Sequence, residues 1–276
     1  MSGVSDFAAV ATAYFHDLQR RVCAAFEAFE PQARFTARSW TKPPGHRLQG
    51  GGESRLMRGA VFEKVGVNVS HVWGVLPPEA RGQVTGADAS DGRFTACGIS
   101  LVAHLVNPYV PAVHMNLRYL STSRAWFGGG SDLTPTFPLE EDTAEFHAAL
   151  REACEAYRPG TYAHFKAWCD RYFYLPHRQE PRGVGGIFFD DLAGADRDED
   201  FAFVRRVGEA FLEAYPRIVA RRKDSPYDDA ARERLLYKRG RYVEFNLVYD
   251  RGTRFGFSTD ADPDAYLISL PPVVKW

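Results

Sequence analysis

Residues 98–135, GISLVAHLVNPYVPAVHMNLRYLSTSRAWFGGGSDLTP, constrain this chain more than any other stretch. Apolar side chains recur there at every second position, which is the period of a β-strand. Residues 98–106 and 112–120 read as two strands, separated by the turn-prone Asn107-Pro108-Tyr109-Val110-Pro111. In the second strand Met115, Leu117 and Tyr119 share one face, while His114, Asn116 and Arg118 share the other. The apolar face is ordinary core. Three hydrogen-bonding side chains in a row are costly to bury without partners, so the polar face marks a site.

Pairing the two strands as a hairpin centred on Tyr109 sets Ser100 opposite Arg118, Val102 opposite Asn116 and His104 opposite His114. One patch then collects a hydroxyl, an amide, a guanidinium and two imidazoles. A slip of one residue would send one strand's set to the other face. After this hairpin, Gly128-Gly129-Gly130 reads as a sharp turn. Asp132 either caps that turn or is held beside the polar face.

Around this stretch the pattern predicts amphipathic helices over 6–29, 140–157, 162–173, 199–222 and 229–238. Pro216 is expected to kink or break the fourth. Residues 34–59 read as irregular. Their GGGES run reads as a flexible turn, since it lacks the Gly-Lys-Ser/Thr ending of a phosphate-binding loop. Residues 61–75 predict one or two strands, and 186–189 a short apolar strand ended by Asp190 and Asp191. Residues 242–257 read as a β-hairpin turning at Asp250-Arg251-Gly252, followed by a last strand over 266–270. No repeat or linker divides the chain. The expectation is one α+β domain over 1–276, with a largely antiparallel sheet.

A net charge of −1 offers no basic surplus for nucleic acid, so local arginines must meet any anionic partner. No apolar run is long enough to span a membrane, and the N-terminus does not read as a secretory signal. Four scattered cysteines, none at metal-site or redox spacing, fit a reducing cytoplasm. No dinucleotide, flavin or haem motif and no Gly-x-Ser-x-Gly elbow is present. Redox chemistry would therefore rest on a reactive substrate. His104, His114, His147 and His177 could converge on a divalent metal, although their spacing matches no tight ligand signature; acid–base roles are equally compatible.

The strings SLVAHLVNPYVPAVHMNLRY, WFGGGSDLTPTF, HFKAWCDRYFYLPHRQEPRGVGGIFFDDL and GRYVEFNLVYDRGTRFGF closely resemble the oxygen-dependent coproporphyrinogen III oxidase family, over about 40–276. The resemblance implies oxidative decarboxylation of two propionates of coproporphyrinogen III to vinyl groups, giving protoporphyrinogen IX. Molecular oxygen is the implied co-substrate, with no organic cofactor. It implies a large antiparallel sheet with helices on both faces, and a homodimer to which 242–276 contributes. It further implies substrate contacts by Ser100, Asn116, Leu117, Arg118 and Asp132, proton donation by His114 and a catalytic role for Asp132. A divalent metal would fall on His104, His114, His147 and His177. One departure stands out. Asp260-Ala261-Asp262 occupies the place of a glycine-glycine-arginine segment, and acidic residues there would repel a propionate. This leaves a tetrapyrrole-binding homologue with reduced or lost turnover as the alternative. Retention of Ser100, His114, Arg118 and Asp132 together favours the enzyme.

Overall fold

Strands adjacent in the chain pair with one another, so most of the sheet is an antiparallel meander. The computed structural model describes residues 2–258 and 262–276. The strands are β1 (Thr36–Thr41), β2 (Leu48–Met57), β3 (Phe62–Val75), β4 (Arg93–Leu105), β5 (Ala112–Ser121) and β6 (Ala125–Thr134). The helix α1 (Ser2–Glu27) precedes them, and the short α2 (Pro78–Arg81) lies between β3 and β4. The chain then makes α3 (Glu140–Glu155), α4 (Thr161–Tyr172) and a small ribbon of β7 (Tyr174–Leu175) with β8 (Glu180–Pro181). It returns as β9 (Gly185–Leu192), which pairs antiparallel with β6 and completes the seven-stranded sheet. Last come α5 (Arg197–Arg222), α6 (Asp229–Val248), α7 (Arg251–Ser258) and α8 (Pro263–Tyr266).

The two-residue period gives each face its own task. Val65, Val67, Ile99, Leu101, Met115, Leu117 and Tyr119 pack with Phe15 and Phe26 of α1 and Phe203 and Phe211 of α5 in the main core. Fully burying each such side chain contributes roughly 1.5–3 kcal/mol, which is enough to fix which face of every strand points inward. The opposite face carries Gly66, Asn68, Ser100, His114, Asn116 and Arg118, and residues of α6, α7 and α8 close over it. Helix α4 runs along the β9 edge and serves both faces: Phe165 packs on Phe189, and Tyr172 stacks on Phe188. Among the described residues, no helix is long and apolar enough to cross a membrane.

The central hairpin forms with its faces as expected, but its register differs by two residues. Gly98 lies opposite Arg118, Ser100 opposite Asn116, and Val102 opposite His114. The turn explains the shift. Val110 N–H donates to Asn107 O at 3.1 Å and Tyr109 N–H donates to Asn107 Oδ1 at 3.0 Å, so Pro108 takes the second turn position and the hairpin centres there. A shift of two preserves the face.

Four other expectations are corrected. Gly128-Gly129-Gly130 is not a turn but the middle of β6, where a Cβ on Gly130 would lie 2.2 Å from Ile187 O. The GGGES run is likewise the interior of β2, with the Trp40 ring 2.8 Å from where a Gly52 Cβ would sit. Glycine here brings neighbouring groups close rather than reversing the chain. The hairpin expected over 242–257 and the strand expected over 266–270 are replaced by the end of α6, then α7, α8 and a 3-10 turn over Leu267–Ser269. Leu235, Arg239, Tyr242, Val243 and Asn246 are buried at helical spacing, and two of them are polar, which breaks the apolar stripe. Leu247, which with Val243, Phe245 and Tyr249 lent the segment its strand-like alternation, is exposed, whereas Val243 and Phe245 are buried. Pro216 does not end α5, which runs through it to Arg222.

Candidate active site

The polar face of β5 lines a cavity of about 690 Å³. One part of it is built around His114, which sits directly across from Asp132 of β6. His114 Nδ1 is 2.9 Å from Asp132 Oδ1. The other carboxylate oxygen accepts from Arg182 Nη2 at 2.7 Å. Arg182 is buried with its guanidinium over the Phe173 ring at 4.0 Å, and its Nη1 donates to Asn246 Oδ1 at 3.1 Å. Burial alone would raise the Asp132 carboxyl. The adjacent Arg182 and the hydrogen bond from His114 outweigh it and hold the group below the usual carboxylate range. An ionised Asp132 can only accept, so Nδ1 of His114 carries a proton and Nε2, on the far side of the ring, is left for the cavity.

A second ion cluster lies four residues along β5, at Arg118. Arg118 Nη2 is 2.9 Å from Asp190 Oδ1, and Arg251 Nη2 is 3.0 Å from Asp190 Oδ2. Arg118 Nη1 also donates to Asn116 Oδ1 at 3.1 Å. Ser100, paired with Asn116 across β4 and β5, lines the same cavity. Asn68, paired with Ser100 across β3 and β4, also lines the cavity and donates through its amide to Ala265 O, and Asp262 lines it as well. Asp262 is not a free negative charge: its Oδ2 is 2.6 Å from Arg38 Nη2, and its Oδ1 accepts from Asp264 N–H at 3.1 Å. Asp260 and Ala261 lie outside the described residues.

Four of the sequence-derived site residues, Ser100, His114, Asn116 and Arg118, therefore converge on one space. Two do not face it. Leu117 is fully buried in the core on the opposite face, so it could reach the cavity only through its main chain. Asp132 is 1% exposed and lies behind His114 and Arg182 with both oxygens engaged.

The four histidines considered as metal ligands are not brought together. His104 is buried and its Nε2 donates to Ser269 O at 2.9 Å; burial, then the nearby Arg239, push its pKa down to about 3. His147, on α3, is bonded through Nδ1 to Tyr162 OH at 2.8 Å and through Nε2 to Val184 O at 3.1 Å. His177 is bonded through Nδ1 to Tyr249 OH at 2.8 Å and through Nε2 to Glu244 at 2.7 Å. Among the described residues, no three His, Cys, Asp or Glu side chains are grouped to hold a metal ion. These residues do not fit a shared ion, because each ring is held by its own local partner: Ser269 for His104, Asp132 for His114, Tyr162 and Val184 for His147, and Tyr249 and Glu244 for His177.

Sequence reasoning missed Arg182, Asp190, Asn246 and Arg251. Asp190 alone left a signal: it shares strand parity with Phe188, which faces α4 and α6 on the cavity side. A family model described as Coproporphyrinogen III oxidase matches residues 10–276. The chain belongs to the coproporphyrinogen III oxidase family. It is 50% identical to the oxygen-dependent coproporphyrinogen-III oxidase of Rickettsia bellii over 276 residues, covering 97% of each chain. It is equally similar, at 50% over the same shares, to the enzyme of that name from Rickettsia conorii, and 49% identical to that from Rickettsia peacockii. As a coproporphyrinogen III oxidase family member, the chain carries its candidate machinery on β4, β5, β6, β9 and the start of α7.

Proposed function

We propose that this chain is an oxygen-dependent coproporphyrinogen III oxidase, converting two propionates of coproporphyrinogen III to vinyl groups. For each propionate, a hydride equivalent leaves the carbon attached to the pyrrole ring while the next carbon loses its carboxylate as carbon dioxide, and the electron pair of the broken C–C bond becomes the vinyl double bond. Oxygen takes the two electrons, and with one added proton leaves as hydrogen peroxide. No organic cofactor enters this balance, and no step is routed through a metal. The proposal includes a homodimer working in the cytoplasm.

The observation that carries the reading is the shared cavity, in which one imidazole and two arginines face the same space. A guanidinium binds a propionate carboxylate through two parallel hydrogen bonds, a task suited to Arg118. His114 Nε2 is free to exchange the proton that the oxidation consumes. Asp132 acts through His114 by fixing which nitrogen is protonated, and Arg182 keeps Asp132 ionised.

Purified protein, coproporphyrinogen III and air are expected to give protoporphyrin fluorescence after oxidation of the product, and none when oxygen is removed. Bound substrate with no product in air would sink the proposal. Asp132→Asn keeps the shape but lets the amide donate where the carboxylate accepted. It is expected to lower kcat on the order of 10²–10⁴-fold with the fold intact. Unchanged kcat would remove Asp132 from the mechanism.

A further inference from the structure

We infer that Asp190 is a positioning residue that joins Arg118 and Arg251 into one receptor for a single substrate carboxylate. The inference rests on the proposed activity and deepens it. The two arginines come from distant parts of the chain, β5 and the first residue of α7, and they meet only at this carboxylate. Each of its oxygens takes one guanidinium, at 2.9 and 3.0 Å.

Everything around Asp190 serves to hold this geometry. Its side chain is 14% exposed, while Arg118 and Arg251 are 30% and 54% exposed, so the carboxylate is the buried partner and the guanidiniums face outward. Burial would raise the Asp190 carboxyl, but Arg118 and then Arg251 hold it below the usual range, so it stays ionised at neutral pH. Gly128 makes room: a Cβ there would lie 2.5 Å from Asp190 Oδ1 and 2.7 Å from Arg118 Nε. Arg251 also lies over the Tyr172 ring at 5.2 Å, and Tyr172 is stacked on Phe188 at 4.3 Å. Asn116 takes a further Arg118 N–H.

Two cations sharing one anion leave an excess positive charge and unused N–H donors on both guanidiniums. A propionate carboxylate bridging them from the cavity side would complete an alternating square of charge. Without Asp190 the like-charged guanidiniums repel and part, and the bridge is lost before any bond in the substrate changes. The effect therefore belongs to substrate binding rather than to chemistry.

Steady-state kinetics of the full-length protein test this. Asp190→Asn is expected to raise KM for coproporphyrinogen III about 10-fold or more, with kcat within about 3-fold of wild type. Asp190→Ala should do the same, and sodium acetate, but not sodium chloride at equal ionic strength, should restore KM by supplying the missing carboxylate. Arg251→Gln, at a partly exposed helix start, should raise KM similarly, and adding Asp190→Asn to it should cost less than about 3-fold more. This coupling can be read even where Asp190→Ala proves unstable. Unchanged KM in folded Asp190→Asn, a loss confined to kcat, or full additivity with Arg251→Gln would each overturn the inference. Failure of the proposed function would look different, as absence of turnover in the wild-type protein.

Discussion

His104 lies on the same face as His114 but has been assigned to a different task by its surroundings. Its Nε2–H is used by Ser269 O, and its ring packs edge-on against Tyr242 at 5.0 Å. Full burial and the neighbouring Arg239 keep the ring neutral until about pH 3. In the unfolded chain the same ring takes a proton near pH 6.5. Between those values the unfolded state binds a proton that the folded state refuses. Stability from this residue is complete above pH 6.5 and is lost as pH falls, by up to about 1.4 kcal/mol per pH unit. His104→Phe is expected to lower stability at neutral pH, through the lost hydrogen bond, and to flatten the slope below about pH 6. Denaturant unfolding at several pH values checks this. Parallel wild-type and variant slopes would show that His104 titrates normally in the folded protein.

At the scale of elements, β6 is governed by what its glycines allow. A Cβ on Gly130 would meet Ile187 O at 2.2 Å, and backbone on a paired strand cannot give way as a flexible side chain can. Gly130→Ala is expected to destabilise by about 1–3 kcal/mol and to disturb β9, which carries Asp190. Gly82→Ala, with nothing within 4 Å of its Cβ, should be near neutral in the same thermal unfolding measurement. Equal effects would refute the close-approach account. The same glycines show where sequence reading fails. A triple glycine signals a turn locally, and only the positions of β5 and β9 reveal that it thins a strand so that side chains fit over it. The polar face of β5 was legible because parity alone sorts Met115 from Asn116. Its register was not, since that depended on which residue of the turn Pro108 would occupy. Helix α6 was obscured because Arg239 and Asn246, buried on its inner stripe, look like surface residues until their partners Glu63 and Arg182 are known. For the same reason Arg182 and Asp190 escaped notice: an ion pair between segments tens of residues apart has no sequence period.

Across the whole molecule, the end of the chain returns to complete the wall that β1 and β3 begin. Arg38 on β1 reaches Asp262 at 2.6 Å, Lys64 Nζ donates to Leu270 O at 2.7 Å, and Asn68 donates to Ala265 O. Ile268 lies close over Gly66, where an added Cβ would meet it at 2.6 Å. The final residues are tied to α6, with Arg239 Nη1 donating to Val273 O at 3.3 Å and Lys275 paired with Glu233 at 2.6 Å. None of these contacts involves the large core on the other face of the sheet. The wall should therefore open without unfolding the protein, against a local free energy set by a few polar contacts. An exposed ion pair contributes at most about 1 kcal/mol and a hydrogen bond about as much. Removing both in Arg38→Ala with Asn68→Ala should raise the local opening population roughly 10–100-fold, since about 1.4 kcal/mol is a factor of ten. Amide hydrogen exchange is expected to accelerate by that factor in 265–270 while β5 exchanges at its wild-type rate. KM should rise with it, because the cavity loses one side. Equal acceleration in β5 would mean that the wall opens only when the sheet does, and that this end of the cavity is as rigid as its floor.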